Sequence, residues 1–323
     1  METEPSMGSA SSSNSNSKSL ADCAERNWLD LPRDVVCTIF QKLGAVEILM
    51  NAQRVCSLWR NISKDPHLWR TIDMRNFGDN EMNFALAIMC RRAIDYSSGL
   101  LLDINIEYFG DDDLLHYITD STSHLRRLRL ACCYQISDEG LCDVAKKLSQ
   151  LEELDITIMR LSKDPLEAIG RRCPHLKSLK FNMEGYRRPH IECDEVAYAI
   201  AETMPELRHL QLFGNKLTDD GLLAILDGCP HLESLDLRQC FNVTFSGSLG
   251  RRCTEQIKDL RRPYDPIDDY PFEAEVDYGS LDEDYPSGIS DIDFLSDDDY
   301  DYYEFSGGSD FSEYDDYDHY YEI

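Results

Sequence analysis

The sequence predicts an α/β solenoid: a short three-helix unit, then a right-handed horseshoe of about six strand–helix repeats, then an acidic tail without fixed structure. Three observations carry this reading. Leucines and other aliphatics recur in one fixed pattern about every 25 residues through the middle of the chain, a compact amphipathic segment precedes them, and the composition changes abruptly near residue 263.

Composition divides the chain into four. Residues 1–26 are rich in Ser and Asn, a leader that cannot repay the entropy of ordering. Residues 27–74 hold the helical unit and 75–262 the repeats. Residues 263–323 are Asp-, Tyr- and Ser-rich with no helical or strand period, so disorder is expected. The chain has 61 acidic against 32 basic residues, a net charge of −29; residues 263–323 hold 22 acidic residues and no Lys or Arg, so −7 remains elsewhere. Acidity is thus mostly a property of the tail, and nucleic acid, which needs a basic face, is not expected as a partner.

No run approaches the roughly 18 apolar residues of a membrane helix, and no membrane partner is expected. The leader has no apolar stretch, hence no secretory signal. The 12 cysteines are scattered rather than packed into a small secreted scaffold, which predicts free thiols in a reducing, intracellular compartment.

The helical unit opens at Leu31-Pro32-Arg33-Asp34, with Pro32 in a first turn where its missing N–H costs nothing. Val35, Val36, Ile39, Phe40 and Leu43 follow at helical spacing as one apolar stripe, and Gly44 ends the helix. Ile48, Leu49 and Ala52 mark a second helix; Val55, Cys56, Leu58, Trp59 and Ile62 mark a third. Asp65-Pro66 breaks the chain before Leu68 and Trp69. So small a unit is insecure alone, and its apolar face predicts a partner.

The repeat follows the strand pattern L-x-x-L-x-L. It begins at Leu101, Leu125, Leu151, Leu176, Leu207 and Leu232, with steps of 24, 26, 25, 31 and 25 residues. Such periods mark leucine-rich repeats. Asn215, Cys133 and Cys240 hold the polar position after the strand, where a buried side chain can satisfy turn backbone. Asp138-Glu139-Gly140-Leu141 and Asp219-Asp220-Gly221-Leu222 then open helices whose positive ends suit acidic residues. The stretch Trp69, Ile72, Met74 reads as a degenerate first strand joining the two modules.

Together these residues resemble plant F-box proteins with leucine-rich repeats. The F-box part spans Trp28 to Ile72, on Leu31-Pro32, Ile39, Leu43, Val55-Cys56, Trp59-Arg60, Asp65-Pro66 and Leu68-Trp69 in the family's order and spacing; the repeats span Leu101 to about Arg252. The resemblance implies a non-catalytic substrate receptor. Its F-box would bind a Skp-type adaptor, and through it a cullin–RING ligase, while its repeats hold a substrate protein. Carried over, the adaptor face is Leu31, Pro32, Ile39, Leu43, Val55, Cys56 and Trp59, with Trp59 as candidate anchor or as the core seal of the three helices.

Period-two alternation turns the leucines inward and the residues between them to the concave face. The candidate substrate-binding set there is Arg127, Arg129, Asp155, Lys180, Gln211 and Phe213. Neighbouring strands alternate acidic and basic, which also fits a ladder of cross-strand ion pairs. Phe213 stands out as an aromatic on that face, the best substrate anchor visible or else a ring folded against a neighbour.

Cys173-Pro174-His175 and Cys229-Pro230-His231 resemble metal ligands but occupy one repeat position, where proline stops a helix; no metal, cofactor or catalytic motif is expected. The longest repeat step holds an insertion near Tyr186-Arg187-Arg188-Pro189, a candidate binding loop. In the tail, Ser280, Ser290, Ser296 and Ser312 each precede an acidic residue by three, a pattern for acidophilic kinases. The tail could also screen Arg126, Arg127 and Arg129. An alternative function is an acidic repeat chaperone or inhibitor of basic nuclear proteins. The sequence places the protein in the nucleus, the cytoplasm or both, without deciding between them.

Overall fold

The computed structural model describes residues 31–75, 83–183 and 192–272. The leader, the insertion at 186–189, the four tail serines and the tail beyond Phe272 lie outside the described residues.

Pro32 caps helix α1 (Arg33–Leu43) from one position before it, with φ −57° and ψ 146°, rather than sitting in its first turn. The pyrrolidine ring still presets the entry angle, because its φ is the one the chain needs there. Gly44 ends α1 at φ 82°, a conformation open to glycine at little cost. The second expected helix is three short pieces: α2 (Ala45–Glu47), a π-helical turn over Ile48–Ala52, and α3 (Gln53–Val55). Cys56 then breaks the chain in extended geometry. Its sulfur accepts the Trp59 N–H at 3.4 Å and caps α4 (Ser57–Ile62).

Asp65 caps the 3₁₀ turn Pro66–Trp69 by accepting the His67 N–H at 3.0 Å. The same carboxylate meets Arg33 at 2.6 Å, tying the start of α1 to the end of the unit. Trp69 is buried, and its indole N–H donates to the Ser63 carbonyl at 2.7 Å, as a buried indole requires.

Eight strands form one parallel sheet in chain order. They are β1 (Thr71–Met74), β2 (Asp103–Glu107), β3 (Arg127–Ala131), β4 (Glu153–Thr157), β5 (Ser178–Asn182), β6 (His209–Gln211), β7 (Ser234–Asp236) and β8 (Asp259–Arg261). Helices α5 (Asn83–Ser97), α6 (Asp112–Ser121), α7 (Asp138–Ala145), α8 (Asp164–Arg172), α9 (Glu195–Thr203), α10 (Asp219–Gly228) and α11 (Gly247–Gln256) connect them. The strand–helix solenoid is therefore as the leucine pattern requires, with two strands more than the six copies of the motif. Strand β1 is the degenerate one: Ile72 pairs with Ile104 and Met74 with Ile106, so the helical unit and the repeats share one sheet. Strand β8 escaped the pattern because the third apolar position falls on Arg262, after Ile257 and Leu260. Among the described residues no single helix is long and apolar enough to cross a membrane.

The leucines line a continuous buried core with the helices. Registers align them between repeats, Leu128 beside Leu154, Leu154 beside Leu179 and Leu210 beside Leu235. Each fully buried side chain is worth about 1.5–3 kcal/mol, and no repeat could bury its face without neighbours.

The acidic residues before the helices do more than face a helix end. Asp112 accepts the Ser137 N–H (2.9 Å) and hydroxyl (2.7 Å), and Ser137 in turn caps Gly140 of α7 at 3.0 Å. Asp194 makes the same pair of bonds to Thr218 at 2.7 and 2.8 Å. Each carboxylate stitches its own repeat to the next. The glycine of the Asp-x-Gly motif follows from this packing, because a Cβ at Gly140 would stand 2.1 Å from the Asp112 carboxylate.

The polar position behaves as expected. Asn215 Oδ1 accepts the Leu217 N–H at 3.0 Å, and the Cys133 and Cys240 thiols donate to the carbonyls of Ala131 (3.3 Å) and Leu212 (2.8 Å). Cys173 and Cys229 are buried too, donating to Leu148 (3.2 Å) and Met204 (3.5 Å) across the repeat boundary. Burial pushes the Cys133 and Cys173 thiols up to about 12 and Cys229 to about 11, so they serve as small core donors rather than nucleophiles.

Candidate functional site

Two surfaces collect the residues that sequence reasoning singled out. On the helical unit, the apolar stripe of α1 splits by face. Val36 and Phe40, four residues apart, are fully buried, whereas Val35 and Leu43 are 39% and 41% exposed. Ile39 and Leu31 are half-buried and Pro32 is exposed. Where α3 meets α4, Val55 is 59% exposed and Leu58 37%, with Met50 on the π-helical turn at 37%. Cys56 is half-buried and held by its capping role.

Trp59 is the exception among the adaptor candidates. It is 8% exposed, and its ring meets Phe40 edge to face at a centroid distance of 5.2 Å. The structure thus places it as the seal between α1 and α4 and not as a projecting anchor. Val35, Met50 and Leu58 were missed as surface candidates. Helical periodicity alone gives a stripe of apolar residues but not which side of it a neighbouring helix covers.

The second surface is the open face of the sheet. Arg127 pairs with Asp103 at 2.8 Å, Arg129 with Asp155 at 3.2 Å, and Lys180 with the same Asp155 at 3.5 Å. Gln211 donates to Asp236 at 2.9 Å. These candidates form the cross-strand ladder the alternation suggested, each exposed pair worth about 0–1 kcal/mol. A cleft of about 280 Å³ lies over β1–β5 and includes Asp73, Asn105, Arg127, Arg129, Asp155 and Lys180. Next to Asn105, burial raises the Glu107 carboxyl above its ordinary range, with Arg129 and a hydrogen bond from Asn105 pulling the other way.

Phe213 is not the exposed aromatic that alternation predicted. It lies beyond the end of β6, is fully buried, and carries Tyr270 stacked on its ring at 3.8 Å between centroids with the planes 1° apart. Residues 263–272 return over the open face, so this stretch, expected to be disordered, is structured. The stretch is anchored on a cation that it helps to bury. Arg238, whose side chain is 3% exposed, is held by Asp236 and needs further acceptors, and it finds the Pro266 carbonyl (3.0 Å) and Asp269 (2.5 Å). Arg261 meets the other Asp269 oxygen at 2.5 Å. The described part of the tail reaches Arg238 and Arg261, while Arg126 pairs with Glu152 at 3.4 Å; the rest of the tail, on which screening of Arg126, Arg127 and Arg129 also depends, lies outside the described residues.

A small helical unit with exposed aliphatics, fused through a shared sheet to leucine-rich repeats, defines the F-box/leucine-rich-repeat class. The F-box-like family model matches residues 28–75, and the Leucine Rich repeat model matches 122–142 and 204–226. The Arabidopsis thaliana F-box protein SKIP19 is 50% identical over 86% of this chain and 89% of its own length. Arabidopsis thaliana F-box/LRR-repeat protein 23 is also 50% identical, over 75% of this chain and 55% of its own. F-box protein SKIP1 of the same plant is 28% identical over 73% of this chain and 87% of its own. The chain belongs to the plant F-box/LRR-repeat family, whose general role is substrate recognition for Skp–cullin–F-box ligases.

Proposed function

We propose that this chain is a non-catalytic substrate receptor whose helical unit docks on a Skp-type adaptor. Through that adaptor it joins a cullin–RING ligase, while the open face of the repeats holds a substrate protein for ubiquitination and degradation. It would act in the nucleus, the cytoplasm or both. The observation that supports the reading is the exposure of Val35, Leu43, Val55 and Leu58 on a unit whose core is already closed by Val36, Phe40, Trp59 and Trp69. Each of these residues keeps 37–59% of its surface open to solvent within this chain. Burying that remaining surface in an adaptor groove would contribute about 0.5–2 kcal/mol per residue before the costs of association, in the manner of aliphatic anchors seated in a complementary groove.

The test is co-expression of the full chain with plant Skp-type adaptors, beside a Val55→Glu, Leu58→Glu variant. Both substitutions are at exposed positions and should cost about 0.5 kcal/mol or less each, so the variant should melt within about 4 °C of wild type while losing the adaptor. A folded wild type that retains none of several adaptors, or a variant that retains them as well as wild type, overturns the reading. Histone binding would then be the next assay, for the acidic-chaperone alternative.

A further inference from the structure

We propose that the open face over the last repeats recognises a protein segment in which an acidic residue is followed directly by an aromatic one, and that residues 263–272 hold this site in cis. The inference rests on the receptor reading above and names the chemistry of its substrate.

The site has an electrostatic half and an aromatic half. Asp236 clamps Arg238 with both oxygens, accepting from Nε at 3.0 Å and from the terminal nitrogen at 2.8 Å. This fixes the guanidinium plane and leaves its remaining edge pointing at whatever crosses the face. Asp269 takes that edge with one oxygen and Arg261 with the other. One carboxylate shared by two guanidinium groups is a geometry that planar, fork-shaped donors recognise well. Directly beside it, Phe213 offers a flat ring that Tyr270 covers in parallel, with Arg238 5.7 Å from the Phe213 centroid. The adjacent residues Asp269 and Tyr270 therefore fill the two halves together.

The occupant is imperfect, as a displaceable one must be. The Tyr270 hydroxyl is buried without a hydrogen-bond partner, so the pocket takes an aromatic ring but gives nothing to a phenol. Asp269 remains 56% exposed, which leaves the rim open to an incoming chain. A cleft of about 230 Å³ continues from this point past Lys180, Gln211 and Arg261, room for residues flanking the recognised pair. A substrate segment with phenylalanine in place of Tyr270 would satisfy the same ring contact and strand no polar group.

The experiment uses the full chain co-purified with its adaptor and a fluorescein-labelled peptide copying residues 264–272. Binding is read by fluorescence anisotropy. The Asp269→Ala, Tyr270→Ala variant should bind the peptide at least tenfold tighter than wild type, and less tightly as salt rises. Tyr270→Phe, which seats the cis segment better, should bind it more weakly than wild type. Adding Arg261→Ala to the opened variant should remove much of the gain without touching the buried Arg238. A folded, opened variant that binds no tighter than wild type overturns the proposal. So does equal binding of a peptide carrying Asn for Asp269 and Ala for Tyr270. Adaptor retention is scored on the same samples: loss of adaptor with peptide binding intact defeats the receptor reading and leaves this site standing.

Discussion

Replacing Gly221 by alanine should destabilise the repeats, although the residue is helical and the exchange ordinarily stabilises a helix by about 0.5–1 kcal/mol. A Cβ at Gly221 would stand 2.2 Å from Asp194 Oδ1 and 3.0 Å from the Ala197 Cβ. The carboxylate cannot move without loss. It accepts the Thr218 N–H and hydroxyl at 2.7 and 2.8 Å, and the Thr218 hydroxyl accepts the Asp220 N–H at 3.2 Å. Hydrogen bonds to a charged group contribute about 1.5–3 kcal/mol each. Giving up one or both, less the helix gain, leaves a net loss of about 0.5–5.5 kcal/mol. For a body of this size that lowers Tm by about 2–4 °C per kcal/mol. The assay is thermal melting of Gly221→Ala, Asp194→Ala and the double variant. With Asp194 shortened the carboxylate clash goes and only the 3.0 Å approach to the Ala197 Cβ remains, so the glycine exchange should cost less, a coupling of about 0.5–3 kcal/mol. A Gly221→Ala protein more stable than wild type, or effects that add within about 0.5 kcal/mol, would refute the packing argument.

Two further outcomes are expected. Trp59→Ala should destabilise the F-box unit by about 3–5 kcal/mol, because it removes the edge contact with Phe40; hydrogen exchange should show protection falling across residues 33–69, and unchanged protection would place Trp59 outside the core. Glu107→Gln should raise stability at neutral pH, since burial holds the carboxyl above its ordinary range and its ionised form weakens the fold. A raised folded-state value means this cost is absent below the unfolded value of about 4.3 and grows as pH rises through and beyond it. The advantage of the variant should accordingly vanish in melts near pH 4, and an advantage independent of pH would assign the effect to packing alone.

Much of the fold was legible because its signals are local. A leucine every second residue within a strand, repeated after about 25 residues, is enough to place β2–β7 and their registers. Gly44, Asn215 and Cys133 were readable for the same reason, since each serves a turn built by its immediate neighbours; Cys240 was readable from its repeat position, but its partner, the Leu212 carbonyl, lies one repeat earlier. Strand β8 was not, because Arg262 stands where the third aliphatic residue belongs. The Asp-x-Gly motif was readable as a helix start, but its glycine answers to a carboxylate one repeat earlier. The concave-face ladder could be listed from alternation, while the partner each charge chose, such as Asp155 serving both Arg129 and Lys180, could not.

By itself, then, the sequence determined the class of the protein, the order of its two modules and the inward set of each strand, since all of these follow from periodicity along the chain. The tertiary structure decided which apolar faces stay uncovered. Trp59 went to the core and Val55 and Leu58 to the surface, because helices α1 and α4 cover one side of the stripe and leave the other. It decided as well that Phe213 is hidden, because Arg238 holds Asp269 over the sheet and Tyr270 lies on the ring. That contact joins positions far apart in the chain, and no local pattern encodes it.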